Sequence, residues 1–187
     1  GTHANGSLPY MSSHAECVTC PAGPSCSVGS AATAPCLPGS FGASAHQATY
    51  ALCPSGKFTS NSSNTACQAC TEGYLCVEGS SAPQPCPGGT HANASLPYMS
   101  SLAECVTFAA GASCSVGSAA PTPSLPGSFG ASAHHATCAP SPSGKITSHS
   151  SKTACQACPE GHLCVAGSSA PQPCPGGARA TPPLPRR

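Results

Sequence analysis

The chain has 187 residues, among them 16 Cys, 20 Gly and 22 Pro, with 6% charged and 4% aromatic residues, no Trp and a formal net charge of +1. So little charge leaves no field to steer nucleic acid or an anionic membrane, and no apolar run approaches the roughly 18 residues needed to span a bilayer. Cysteine at this density points to an oxidising, extracellular compartment, and the scarcity of branched and aromatic side chains means that cross-links are expected to replace much of a hydrophobic core.

The chain opens on GTHANGSLPYMSSHAECV at Gly1, and GTHANASLPYMSSLAECV begins at Gly89. The offset of 88 residues persists through SCSVGSAA, LPGSFGASAH, TACQAC and GSSAPQPCPGG, so two long copies fill the sequence, 1–88 and 89–177, followed by a non-repeat tail, 178–187. No leader pattern precedes Gly1, which stands inside a repeat, and the chain is expected to be a piece of a longer protein.

Each copy divides again. Cys17, Cys20, Cys26 and Cys36 read C-x2-C-x5-C-x9-C, and the spacing returns at Cys67, Cys70, Cys76 and Cys86 and at Cys155, Cys158, Cys164 and Cys174. A fourth instance starts at Cys105 and Cys114, with Phe108 and Ser124 in its second and fourth positions. These are four modules, 17–36, 67–86, 105–124 and 155–174, separated by Gly/Ser/Thr/Ala-rich connectors. Gly23, Gly73, Gly111 and Gly161, and the Gly-Ser pairs at Gly29, Gly79, Gly117 and Gly167, recur in every module and predict turns with positive φ. Helical periodicity is absent, and short ribbons are expected, for instance around 56–60 and 143–147. The expected fold is a small disulfide-rich repeat, mostly irregular with short β-ribbons, an elongated stack of cysteine modules.

The cysteine pairing has two readings. Phe108 and Ser124 stand where the first copy has Cys20 and Cys36, and a joint loss is expected of bonded partners. That gives second-to-fourth pairing, Cys20–Cys36, Cys70–Cys86 and Cys158–Cys174. First-to-third pairing follows, Cys17–Cys26, Cys67–Cys76, Cys105–Cys114 and Cys155–Cys164. Cys53 and Cys138 are left unpaired or inter-chain, their counterparts being Ser141 and Tyr50. The alternative pairs neighbours across connectors, as in Cys53–Cys67 and Cys86–Cys105. Zinc competes for Cys-x2-Cys pairs, but matched second pairs are missing and the eight histidines are scattered through connectors. A redox-active Cys-x2-Cys lacks its βαβ setting. No metal or cofactor is expected.

CQACPEGHLCVAGSSAPQPCPGG (155–177) and CVTCPAGPSCSVGSAATAPCLPGSF (17–41) resemble the ephrin-receptor-like cysteine-rich repeats, which are distantly similar to tumour-necrosis-factor-receptor modules. Similar arrays occur in algal and protist surface proteins, including flagellar hair (mastigoneme) proteins. The resemblance implies an elongated shape, an extracellular location and assembly, with no catalytic residues to carry over. The positions lost at Phe108, Ser124 and Ser141 depart from the pattern and imply a looser third module.

Three sequons, at Asn5, Asn61 and Asn93, are candidate glycosylation sites, and Asn5 and Asn93 are equivalent under the 88-residue offset. The Ser/Thr/Pro-rich connectors would suit O-glycans. The acids are Glu16, Glu72, Glu78, Glu104 and Glu160; Glu16/Glu104 and Glu72/Glu160 are repeat equivalents, so a repeated structural role is expected and catalysis is not. Tyr10, Met11, Tyr98 and Met99 in LPYMSS are expected to make packing contacts, within the chain or with a neighbour. The tail 182–187 fits a PxxPxR ligand, but the extracellular setting favours an unstructured terminus. The expected function is a structural extracellular segment of a glycosylated filament or surface array, such as a flagellar hair, associating with itself or other surface proteins. The alternative is a ligand-binding segment of a cysteine-rich receptor ectodomain.

Overall fold

A computed structural model describes residues 1–176; the PxxPxR tail lies outside the described residues. The fold is built from one small device used repeatedly. Ten antiparallel hairpins follow one another, eight of them joining strands of two residues each and two reduced to single bridges, Ser25 with Ala34 and His91 with Val106. The first copy holds hairpins 1 (1–20), 2 (23–36), 3 (39–53), 4 (56–70) and 5 (73–86). The second holds hairpins 6 (89–108), 7 (111–124), 8 (127–141), 9 (144–158) and 10 (161–174). Among the described residues, helix is confined to two single turns, His14–Glu16 and Leu102–Glu104, in the long loops of hairpins 1 and 6.

Each hairpin opens on a glycine and closes on a cysteine or its replacement. The closing residue's N–H donates to the opening carbonyl, as Cys20 to Gly1, Cys53 to Gly39, Cys70 to Gly56 and Cys86 to Gly73, and in the second copy Ser124 to Gly111 and Ser141 to Gly127. Apart from Gly1, whose φ has no preceding residue to define it, the opening glycines all sit at positive φ, as do Gly29, Gly79, Gly117 and Gly167. The turns expected from the recurring glycines are therefore present, and strands Lys57–Phe58 and Lys145–Ile146 lie where ribbons were expected.

Successive hairpins are joined backbone to backbone. Gly23 N donates to Gly42 O, Gly39 N to Thr59 O and Gly56 N to Cys76 O, and bonds such as Gly79 N to Cys53 O and Ser63 N to Cys36 O reach two hairpins along. The second copy repeats the pattern with Gly111 N to Gly130 O, Gly127 N to Thr147 O and Gly144 N to Cys164 O. A two-residue ribbon is marginal alone; here each one borrows its missing hydrogen bonds from the next.

The connectors expected to separate modules are themselves hairpins. Hairpins 3 and 8 lie entirely within them, and the module 17–36 is the closing end of hairpin 1 plus the whole of hairpin 2. The contact units also divide differently from the 88-residue repeat. One comprises Gly1–Cys86 with Ala92–Cys105, and the other Pro87–His91 with Val106–Arg187, of which the last eleven residues are not described. The loop of hairpin 6 thus belongs with the first unit.

The buried hydrophobic residues confirm how little conventional core there is. Of twelve, eight are cysteines, the others being Leu75, Met99, Phe108 and Ile146. Leu75, Cys86 and Met99 form one cluster, flanked by Ala92 and Cys105. Small hydroxyl side chains fill several of the remaining interior positions, Thr59, Thr147, Ser40, Ser124 and Ser141 among them.

Close backbone approach explains which glycines matter most. A Cβ on Gly39, at φ +86°, would run into the Gly79 carbonyl, whereas one on Gly29, at φ +77°, would meet nothing. Gly29→Ala is expected to lose about 1–2 kcal/mol, the cost of the left-handed backbone alone. Gly39→Ala is expected to lose distinctly more, because hairpins 3 and 5 must also separate. Denaturant unfolding of both variants under non-reducing conditions checks the order, and equal losses would show that backbone approach is not limiting.

Candidate functional site

The chemically distinctive feature of the chain is its sulfur, and five disulfides form: Cys20–Cys26, Cys53–Cys67, Cys70–Cys76, Cys86–Cys105 and Cys158–Cys164. In each, the closing residue of one hairpin bonds to the following hairpin, either three residues after its opening glycine or three residues before its close. Cα separations of 5.8–6.1 Å suit the bond throughout.

This arrangement corrects the expected pairing. Cys20–Cys36, Cys70–Cys86 and Cys158–Cys174 are not bonded, and neither are Cys17–Cys26, Cys67–Cys76, Cys105–Cys114 or Cys155–Cys164; Cys53 is not left over but bonds Cys67. The alternative across connectors, Cys53–Cys67 and Cys86–Cys105, is the one that forms. The physical reason is the stacking. Cys20 closes hairpin 1 and bonds into hairpin 2 at Cys26, while Cys36, which closes hairpin 2, turns its thiol to the carbonyl of that hairpin's own opening Gly23. The joint loss at Phe108 and Ser124 removes one cysteine from each of two consecutive links.

Six cysteines remain reduced, Cys17, Cys36, Cys114, Cys138, Cys155 and Cys174. Four of them, Cys36, Cys114, Cys138 and Cys155, are each half of a link whose other half is a different residue. Cys114 would meet Phe108, as Cys26 meets Cys20, and Cys155 would meet Ser141, as Cys67 meets Cys53. The 14-residue interval of Cys53–Cys67 also separates Cys36 from Tyr50 and Ser124 from Cys138. The two copies have thus each kept a different half of the same link. Cys17 corresponds to Cys105 and Cys174 to Cys86, the two ends of one bridge.

The replacements are accommodated in different ways. Ser141 Oγ donates to Gly127 O at 3.1 Å and to Ser168 O at 3.2 Å, so hydrogen bonds stand in for sulfur. Phe108 is buried. Ser124 Oγ is buried without a partner among the described residues. Burial raises the thiol pKa of Cys36 and of Cys114, which keeps both protonated and poorly reactive, and Cys36 Sγ donates to the Gly23 carbonyl.

Asn5 and Asn93 occupy the same turn. Asn5 Oδ1 accepts from Ser7 N at 3.1 Å and Asn93 Oδ1 from Ser95 N at 3.0 Å, an Asx-turn inside each sequon. Both asparagines are half-buried, and Asn61 is exposed. The two loops are pinned by their glutamates. Glu104 accepts from Ser100 N at 2.6 Å and Ser101 N at 3.1 Å, and Glu16 from Ser12 N at 2.6 Å and Ser13 N at 3.4 Å. Glu72, Glu78 and Glu160 are exposed. A shallow cleft of about 240 Å³ lies between 70–74 of hairpin 5's approach and the loop 92–99. Among the described residues no three His, Cys, Asp or Glu side chains gather where they could hold a metal. No described helix is long and apolar enough to cross a membrane.

Sequence reasoning missed the link partners Tyr50, Phe108, Ser124 and Ser141, although the repeated 14-residue interval, and for Phe108 the six-residue one, carried the signal. Restoring a half is expected to restore a link. Ser141→Cys should bond Cys155, remove two hydrogens from the intact mass and stabilise the chain by roughly 2–4 kcal/mol, measured by denaturation with and without reductant. A second outcome concerns acid. Hydrogen bonds from Ser100 N, then Ser101 N and Ser100 Oγ, lower the pKa of Glu104. A carboxyl whose folded pKa is depressed contributes its stability above the unfolded value and loses it as pH falls through the folded one. The loop 96–104 is therefore expected to hold at the ordinary glutamate pKa of 4.5 and to loosen below it, as an NMR titration of the Glu104 carboxyl carbon would read. No protein-family model matches this sequence, and no curated protein matches it significantly.

Proposed function

We propose that this chain is a structural segment of an extracellular, glycosylated filament or surface array, built as an ephrin-receptor-like cysteine-rich repeat, with a flagellar hair as its concrete form. The observation that supports it most is the reuse of one hairpin ten times, with sulfur joining the end of one to the body of the next. Repeat proteins stabilised by nearest-neighbour contacts gain length without needing a larger core. Disulfides suit an oxidising exterior.

Further support comes from the surface. The loop 5–17 recurs at 93–105 with the same turn, the same glutamate pin and the same sequon. A surface that repeats is what lateral display and self-association use, and a glycan at Asn5 and Asn93 would recur with the same spacing. With so few charges, such sugars would also keep the chain soluble. A receptor ectodomain would use a patch that does not repeat.

Electron microscopy of the native material tests this reading. Fibres or ordered arrays containing the chain in many copies are expected, and they should resist protease until reduced. Isolated monomers at high concentration would count against it.

A further inference from the structure

The cleft of about 240 Å³ is built from two stretches in the middle of the chain. The approach to hairpin 5 contributes Glu72 and Tyr74, and the loop of hairpin 6 contributes Asn93, Leu96, Pro97 and Tyr98. Hairpins 1 to 4 precede both stretches and hairpins 7 to 10 follow them. The cleft is smaller than the roughly 300–1,000 Å³ of sites that enclose drug-sized molecules, so it suits a single ring. Apolar surface lies open around it: Leu96 is 38% and Tyr98 53% exposed, and Tyr74 is half-buried.

Asn93 belongs to this cleft and opens the sequon Asn93-Ala94-Ser95. Its backbone N–H donates to Met99 Sδ at 3.5 Å, and its Oδ1 accepts from Ser95 N at 3.0 Å. The side chain is thus held by its oxygen. Its Nδ2, the atom a glycan joins, is neither hydrogen-bonded nor sealed from solvent among the described residues. Asn61, in the turn 61–64, is an exposed sequon and provides the contrast.

We propose that the cleft between hairpin 5 and the loop 92–99 is a binding site for the first sugar of a glycan on Asn93, an N-acetylhexosamine. This rests on the glycosylated reading above and gives the glycan a seat. Attachment joins Nδ2 to the anomeric carbon of the sugar. The bond from that carbon to a lipid-pyrophosphate carrier breaks, the carrier leaves as its pyrophosphate, and Nδ2 loses one proton. The C–H face of the ring packs on Tyr74, the acetamido methyl meets Leu96 and Pro97, and the acetamido N–H donates to the Glu72 carboxylate. Such stacking is weak between separate molecules, but a short tether raises the local concentration to the order of millimolar. The seat spans hairpin 5 and the loop of hairpin 6, the elements that Cys86–Cys105 also joins, so the sugar is a second clasp on one junction.

The test uses the full chain secreted from cells that attach N-glycans, with ¹³C-labelled sugars, read by NMR and peptide mapping. The acetyl methyl signal of the Asn93-linked sugar is expected upfield of the Asn61-linked one, shifted by the tyrosine ring. Asn5→Gln, Asn61→Gln and Ser95→Ala assign the signals by removing one each. Tyr74→Leu, which keeps an apolar side chain, should return the Asn93 signal to the Asn61 position with all five disulfides intact; Tyr74→Phe should leave it upfield. Ser95→Ala keeps Asn93 and the Ser95 N–H, and should speed hydrogen exchange of the loop amides between 94 and 99 about tenfold. An Asn93 sugar whose methyl coincides with that on Asn61, or exchange unchanged by Ser95→Ala, overturns the seat while leaving the glycosylated reading intact. Asn93 unoccupied in a chain that carries a glycan at Asn61 does the same. A chain with no glycan at any sequon sinks the two together.

Discussion

A ribbon with two residues in each strand cannot hold its shape in water by its own hydrogen bonds, and this chain consists of little else. What fixes it is the meeting of each hairpin's closing residue with the hairpin that follows. Where both sides are cysteine the contact is covalent; where they are not, the backbone bonds between hairpins persist without it. Ser141 replaces a thiol and donates to two carbonyls from the site its sulfur would have used, while Phe108 fills its site with a ring. The opening glycines serve the same meeting, because only a residue without a side chain lets the next backbone come close enough to share its amides. Sulfur, glycine and backbone hydrogen bonds thus act at one place, and the scarcity of large apolar side chains follows from it.

Much of this was legible from residues alone, and the limits are instructive. The 88-residue offset, the turn glycines, the ribbons at 57–58 and 145–146 and the disulfide-rich irregular class all followed from composition and recurrence. The pairing did not, because cysteine spacing invites grouping by fours whereas the folded unit begins at a glycine. Gly39, Gly56 and Gly73, 17 residues apart, mark that unit, and it cuts across the cysteine modules. A lost pair such as Phe108 and Ser124 then looks like one broken bond when it is two. Read by glycine, Tyr50 and Cys138 become counterparts of Cys36 and Ser124, and Cys53 has its partner in Cys67.

The two copies share a backbone and differ in how it is fastened. In the first, four of five links are covalent when Cys86–Cys105 is included, the exception being Cys36 with Tyr50. In the second, three consecutive links carry no bond, and Cys158–Cys164 alone is closed. The stretch without bridges runs through hairpins 6 to 9. Backbone bonds such as Gly111 N to Gly130 O and Gly127 N to Thr147 O are still made there, so the path of the chain is unchanged while its covalent reinforcement is missing.

That uneven fastening has a mechanical meaning. A pull along the polypeptide finds hard stops at Cys105 and at Cys158, with only non-covalent contacts between them. The intervening length spans at most about 175–190 Å when fully extended, at ~3.3–3.6 Å per residue, and can pay out that length less its folded span before either stop is loaded. In the first copy the longest stretch without a bridge runs from Cys26 to Cys53, about half that length, and the rest of the slack is captured in small covalent loops. Stretching that segment breaks hydrogen bonds and packing alone, and no covalent bond, before the load reaches Cys105 and Cys158.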